Sequence, residues 1–195
     1  MAQVCVVGAG YVGLTTASCL AQIGHTVIGI DVDSAKIEAL NKGMIPIVED
    51  GLEAITQQML AVRRLTFQLG YSEAISSCEF IFLCVPTPQD EDGSADLTYI
   101  REAAKSLSPY LASKSVIVNK STVPVGSTLV VEEIVRRDDI FVVSNPEFLR
   151  EGSAVHDFLH PDRIVVGSSN KQAAQRVADL YQSIDAPVII CDPAS

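Results

Sequence analysis

The chain has 195 residues, 48% hydrophobic and 19% charged, which is ample for a buried core and excludes a disordered segment. Acidic residues outnumber basic ones 24 to 14, and the resulting net charge of −10 argues against nucleic acid or an anionic membrane as a partner. No apolar run reaches the roughly 18–20 residues of a membrane span, and the N-terminus MAQVCVVGAG enters a strand pattern directly, without a leader, so a cytoplasmic protein is expected.

Residues 4–8 (VCVVG) read as the first strand and 11–23 as a helix behind it. Between them lies Gly8-Ala9-Gly10-Tyr11-Val12-Gly13, a G-x-G-x-x-G at a strand-to-helix turn. Gly8 permits the tight turn, Gly10 lets backbone amides approach a pyrophosphate, and Gly13 allows close helix–sheet packing. The helix N-terminus offers the anion free N–H groups and a partial positive charge. The next strand, 26–30, runs into Asp31, 23 residues beyond Gly8. A carboxylate there accepts both ribose hydroxyls of an adenosine and repels a 2′-phosphate, which favours NAD over NADP. Residues 34–42 read as a helix with Ser34 as its cap. Lys36 lies near the adenosine side or is an ordinary exposed helix lysine.

A helix at 51–62 and strands at 65–69 and 80–85 follow. The latter leads into Pro86-Thr87-Pro88 and an acidic, turn-rich surface loop at 89–96. A helix at 97–111 precedes a strand at 115–119, which leads into Lys120-Ser121-Thr122-Val123-Pro124. Thr87 and Thr122 thus stand beside prolines at strand ends, either as crevice residues or as turn chemistry. A helix at 127–137, strands at 140–144, 163–167 and 187–191, and a helix at 171–183 complete the pattern. Several strands are apolar at every position, as in a parallel sheet covered on both faces. The fold expected is α/β, a Rossmann-type, doubly wound, mainly parallel sheet of about eight strands with helices on both faces.

Five cysteines (Cys5, Cys19, Cys78, Cys84 and Cys191) form no C-x-x-C pair, and Cys5, Cys84 and Cys191 lie in or at the ends of apolar strands. They read as small buried hydrophobes rather than disulfide or zinc ligands. His25, His156 and His160 show no metal-ligand spacing and read as structural; no metal is expected.

The segment Ser144-Asn145-Pro146-Glu147-Phe148-Leu149-Arg150-Glu151-Gly152-Ser153-Ala154 sets two carboxylates four residues apart around an aromatic, an aliphatic and an arginine. With GAGYVGL, VPTP and KSTVPVG, this stretch closely resembles the UDP-glucose/GDP-mannose dehydrogenase family, in order and over essentially the whole chain. The resemblance implies an oxidoreductase that converts UDP-glucose to UDP-glucuronate with two NAD, in polysaccharide biosynthesis. It also implies that residues 1–195 are the NAD-binding domain alone. The family's central helix, its second domain and that domain's catalytic cysteine have no counterpart in this sequence. By itself the chain is then expected to be inactive and monomeric, whereas a full-length protein would be a homodimer.

Roles follow from the resemblance position by position. Gly8, Gly10, Val12 and Gly13, with Tyr11 inside the same motif, contact the pyrophosphate. Asp31 and Lys36 flank the adenosine ribose. Thr87 and Thr122 meet the ribose–nicotinamide side, and Glu151 approaches the nicotinamide ribose. Glu147, Phe148, Leu149, Arg150 and Glu151 form one wall of the nucleotide-sugar pocket. Glu147, as a buried base, and Thr122, as a neutral group that orients water, are the catalytic candidates. A structural ion pair of Glu147 with Arg150 or Arg163 is the alternative. GDP-mannose or a UDP-N-acetyl-hexosamine remains open as substrate, as does a non-catalytic NAD-binding module.

Overall fold

The computed structural model describes residues 1–90, 93–121 and 126–192. Eight strands form one sheet: β1 (Gln3–Val7), β2 (Thr26–Asp31), β3 (Leu65–Leu69), β4 (Phe80–Leu83), β5 (Val116–Asn119), β6 (Phe141–Ser144), β7 (Ile164–Gly167) and β8 (Val188–Cys191). Their order is β3-β2-β1-β4-β5-β6-β7-β8. All neighbours are parallel except β6 and β7, which meet in antiparallel sense at Ser144 and Gly167. The mainly parallel, doubly wound sheet expected from the apolar runs is therefore present.

The helices are α1 (Tyr11–Gln22), α2 (Ser34–Asn41), α3 (Leu52–Ala61), α4 (Thr98–Leu107), α5 (Ser127–Val135), α6 (Ala154–Leu159) and α7 (Lys171–Asp179). Alternate strand side chains feed two cores. Val4, Val6, Phe82 and Val118 pack under α1, α3, α6 and α7. Cys5, Val7, Ile81 and Ile117 pack under α4 and α5. Burial on both faces is why these strands carry no polar alternation.

Three local readings are corrected. The α2 cap is Asp33, whose side chain accepts the Lys36 N–H at 3.1 Å; Ser34 is already the first helical residue. The helix expected over 97–111 ends at Leu107, where Pro109 tightens Ser108–Tyr110 into a 3₁₀ turn. Cys191 is only half-buried, because β8 is an edge strand whose Val188, Ile189 and Ile190 are 39–46% exposed. The other four cysteines are buried and free. The acidic loop is a surface turn: Asp90 N–H reaches Ser94 O at 2.7 Å, Gly93 adopts φ +87°, and Glu91 and Asp92 lie outside the described residues.

After β3 the chain returns across the sheet to place β4 beside β1. The carboxyl ends of β1 and β4 are thus the point where the winding reverses, and a ligand crevice opens at such a point.

Candidate dinucleotide site

A cavity of about 590 Å³ lies at that point. Gly8, Gly10, Tyr11 and Val12 line it from the β1–α1 turn, and Asp31 and Lys36 from the β2 side. Thr87, after β4, and Glu147, after β6, line it as well.

The three motif glycines do different things. Gly8 sits at φ +94°, and a Cβ there would lie 2.7 Å from the Cys84 carbonyl oxygen, so only glycine lets β1 turn beside β4. A Cβ on Gly13 would lie 1.8 Å from the Gly8 carbonyl oxygen; α1 rests on the turn at that point. Gly10 meets nothing within 4 Å and is exposed. It caps α1 with no side-chain hydrogen bond, so the open space above it faces uncapped helix amides. A pyrophosphate fits this cradle, and an added Cβ would fill it.

Asp31 is fixed by three donors. Its Oδ2 accepts the Ala9 N–H at 2.8 Å and the Lys36 ammonium at 2.9 Å, and its Oδ1 accepts the Asp33 N–H at 3.0 Å. Burial pushes its carboxyl up, but Lys36 and the two amides outweigh burial and hold it below the usual carboxylate range. The carboxylate is therefore ionised and oriented at the β2 end, tied directly to the glycine turn through the Ala9 N–H. Lys36 is its ion-pair partner, so the exposed-lysine alternative is not what the structure contains.

Glu147 lines the cavity but is half-buried rather than buried. Its Oε2 accepts the Leu149 N–H at 2.6 Å. The arginines considered as its ion-pair partners are engaged elsewhere. Arg150 grips Asp157 through Nε at 3.0 Å and Nη2 at 2.6 Å, and Arg163 lies over the Phe148 ring at 5.1 Å from its centroid. Leu149 packs against the core beneath α1, Phe148 and Glu151 are exposed, and none of residues 148–151 lines the cavity. Thr122 lies outside the described residues.

Sequence reasoning missed several residues here. The Ser121 hydroxyl donates to the Val85 carbonyl at 2.7 Å and ties the ends of β5 and β4 at the cavity wall. Tyr71, after β3, and Tyr99 and Glu102, on α4, also line the cavity. Glu49, in the α2–α3 connection, is only 7% exposed and accepts the Tyr11 O–H at 2.7 Å. Its sequence setting, the apolar run 45–48 followed by Glu49 and Asp50, does not set it apart. The histidine His25 is satisfied on both ring nitrogens, by Ala2 N–H at 3.2 Å and Leu180 O at 2.9 Å. Among the described residues no three His, Cys, Asp or Glu side chains converge on a metal position. Burial pushes the thiols of Cys19 and Cys84 up to about 12, so neither is a ready nucleophile. No helix among the described residues is long and apolar enough to cross a membrane.

A glycine cradle at a winding reversal, with an oriented carboxylate at the next strand end, defines a dinucleotide-binding domain. The profile of the UDP-glucose/GDP-mannose dehydrogenase family, NAD binding domain, matches residues 2–185, and the chain belongs to that family. Its cofactor is accordingly NAD. The chain is 45% identical over 194 residues to the UDP-glucose 6-dehydrogenase TuaD of Bacillus subtilis, covering 97% of this chain and 42% of that protein. A solved UDP-glucose dehydrogenase from Pyrobaculum islandicum superposes with a TM-score of 0.92 at 39% identity, over 100% of this chain and 47% of the other. A solved GDP-mannose dehydrogenase from Pseudomonas aeruginosa gives 0.91 at 36% identity, over 98% and 46%. The chain thus spans less than half the length of the relatives it matches.

Proposed function

We propose that residues 1–195 form the NAD-binding half of a sugar-nucleotide 6-dehydrogenase that oxidises UDP-glucose to UDP-glucuronate, the other half being the part of its relatives that this chain does not span. The observation that carries the reading is the joined pair of the Gly10 cradle and the Asp31 carboxylate, linked through the Ala9 N–H at 2.8 Å. NAD, when bound, accepts the hydride from the sugar.

The chain's own residues bind, orient and hold protons. Amides at the start of α1 take the pyrophosphate, with Gly8 and Gly13 shaping the turn and Tyr11 and Val12 lining its wall. Asp31, held by Lys36, takes the adenosine ribose hydroxyls. Thr87 and Thr122 are assigned to the ribose–nicotinamide side; Glu151 is exposed and does not line the cavity, so its contact with the nicotinamide ribose is assigned by the family resemblance alone. Glu147 is the proton-handling group. Its Oε2 is taken by the Leu149 N–H, which leaves Oε1 for a water or a substrate hydroxyl, and Thr122 orients that water. Phe148, Leu149, Arg150 and Glu151 form the nucleotide-sugar wall as a backbone segment that the Arg150–Asp157 pair keeps in shape.

A second substrate reading, GDP-mannose, draws support from the 36% identity to the Pseudomonas aeruginosa GDP-mannose dehydrogenase. The full protein is proposed to be a homodimer and the chain alone a monomer. Five free thiols suit a reducing, cytoplasmic compartment.

The test is a fusion of this chain to the remaining part of the Bacillus subtilis relative, assayed for NADH release. UDP-glucose is expected to be oxidised by the fusion and not by the chain alone. Oxidation of GDP-mannose only, by fusions to either relative, would transfer the assignment to that substrate.

A further inference from the structure

Among the described residues Glu49 is the one buried carboxylate, and it joins three distant segments. Its Oε2 accepts the Tyr11 O–H at 2.7 Å and the Gly152 N–H at 2.8 Å, and its Oε1 accepts the Ala154 N–H at 2.8 Å. These donors stand 38, 103 and 105 residues away in sequence. Tyr11 opens α1 directly after Gly10, and its hydroxyl also lies 3.0 Å from the Arg150 carbonyl oxygen. Gly152 adopts φ +87°, and Ala154 is the first residue of α6. One carboxylate, 7% exposed, therefore pins the cofactor turn to the far end of the segment that bears Glu147 and Glu151.

The chemistry suits a tie rather than a reactive group. Three donors hold a carboxylate in its ionised form, and each hydrogen bond to a charged acceptor is about twice as strong as a neutral one. The donors come from two separate parts of the chain, Tyr11 at the start of α1 and the amides of Gly152 and Ala154 at the start of α6, so displacing either part strains the bonds to the other.

We infer that Glu49 is a positioning residue that couples the dinucleotide turn to residues 147–154, so that occupancy of the NAD site firms the substrate-side segment. The inference rests on the cofactor reading above and goes beyond it by naming the residue that transmits the cofactor's presence. Tyr11 is the link on the cofactor side, and the Gly152 and Ala154 amides are the link on the other.

The test is hydrogen exchange on the 195-residue chain, with and without NAD, read at the Gly152 and Ala154 amides. In the unaltered chain NAD is expected to slow exchange there by about fivefold or more, the lower end of ordinary site-to-site coupling. Tyr11→Phe keeps Glu49 and both amides in place but cuts the link to α1, so the added protection should disappear even when NAD is raised until it saturates the variant. Glu49→Gln should raise exchange at both amides even without NAD. Glu53→Gln, in the first turn of α3, should behave like the unaltered chain. A merely structural Glu49 would leave the NAD-dependent change absent from the unaltered chain, or equal in the Tyr11→Phe variant; either result overturns the coupling alone. Failure of NAD to bind the unaltered chain would overturn the cofactor reading and the coupling with it.

Discussion

A side chain at Gly13 would place its Cβ 1.8 Å from the carbonyl oxygen of Gly8, whereas one at Gly10 would meet nothing within 4 Å. Two glycines of one motif thus serve different ends, one packing and the other access. Gly10→Ala should leave the melting temperature nearly unchanged and weaken NAD by about tenfold or more, because it fills the cradle without touching the fold. Gly13→Ala should lower stability by roughly 1–3 kcal/mol, since α1 must shift off the turn. Thermal melts paired with calorimetry on the two variants check this. A Gly10→Ala chain that binds NAD normally would remove the cradle from the site.

Asp31 is expected to supply the ribose contact. Hydrogen bonds to a charged acceptor contribute about 1.5–3 kcal/mol, so Asp31→Ala should weaken NAD by roughly tenfold or more. The Ala9 N–H and the Lys36 ammonium lose their acceptor in the same variant, so the Lys36→Met chain is the control for the ion pair. NAD affinity unaffected by Asp31→Ala would place the ribose elsewhere.

The acid side of the stability profile follows from four carboxylates. The Arg137 guanidinium holds Asp139 down at about 2, and the Arg150 guanidinium holds Asp157 well below the usual range. Asp31 and Glu49 are raised by burial but lowered further by their donors, with a net fall. Groups depressed in the folded state stabilise it fully above their unfolded values, about 3.9 for Asp and 4.3 for Glu. That stabilisation is lost as pH falls through the folded values. The urea midpoint should therefore hold steady from pH 7 to pH 6 and decline from about pH 5 downward. A midpoint that stays level to pH 3 would contradict these ion pairs and hydrogen bonds.

Lys120 has the opposite sign. It is 4% exposed, its ammonium lies 3.4 Å from Asn145 Oδ1, and that oxygen already takes the Tyr181 O–H at 2.6 Å. Burial pushes its pKa down, so the folded state is penalised for keeping the charge at neutral pH. Lys120→Met, similar in volume and uncharged, should leave stability unchanged or raise it by roughly 1 kcal/mol. A loss of about 2 kcal/mol or more in urea melts would show that the ammonium is better satisfied than its contacts indicate.

Most of the fold was legible because burial on both faces writes continuous apolar runs such as 80–83 and 116–119 directly into the sequence. The reversal between β6 and β7 was not legible, since an apolar run does not encode strand direction. Nor was α6, six residues long with His156 and Asp157 inside it and no repeating apolar face. The cofactor end of the site was readable because Gly8, Gly10, Gly13 and Asp31 act through local geometry. Glu49 was not, because its role exists only once residues 38 to 105 positions away supply its donors. Likewise, nothing in the sequence set the Arg150–Asp157 pair apart from an arginine beside Glu147.

Glu147 is the residue proposed to handle protons in catalysis. In the fusion described above, Glu147→Gln should lower turnover by roughly 10²–10⁴ and leave NAD affinity nearly intact, because the residue faces the cavity without belonging to the glycine turn or the Asp31 cluster. Steady-state kinetics together with NAD titration separate the two effects. Undiminished turnover would return Glu147 to a purely structural role through its bond to the Leu149 N–H.

The most direct measurement is calorimetric titration of the 195-residue chain with NAD and, in parallel, with NADP. One NAD is expected to bind per chain, and NADP at least about tenfold more weakly, because an ionised Asp31 welcomes ribose hydroxyls and repels a 2′-phosphate. Equal affinity for the two dinucleotides, or no binding of NAD, would contradict this expectation.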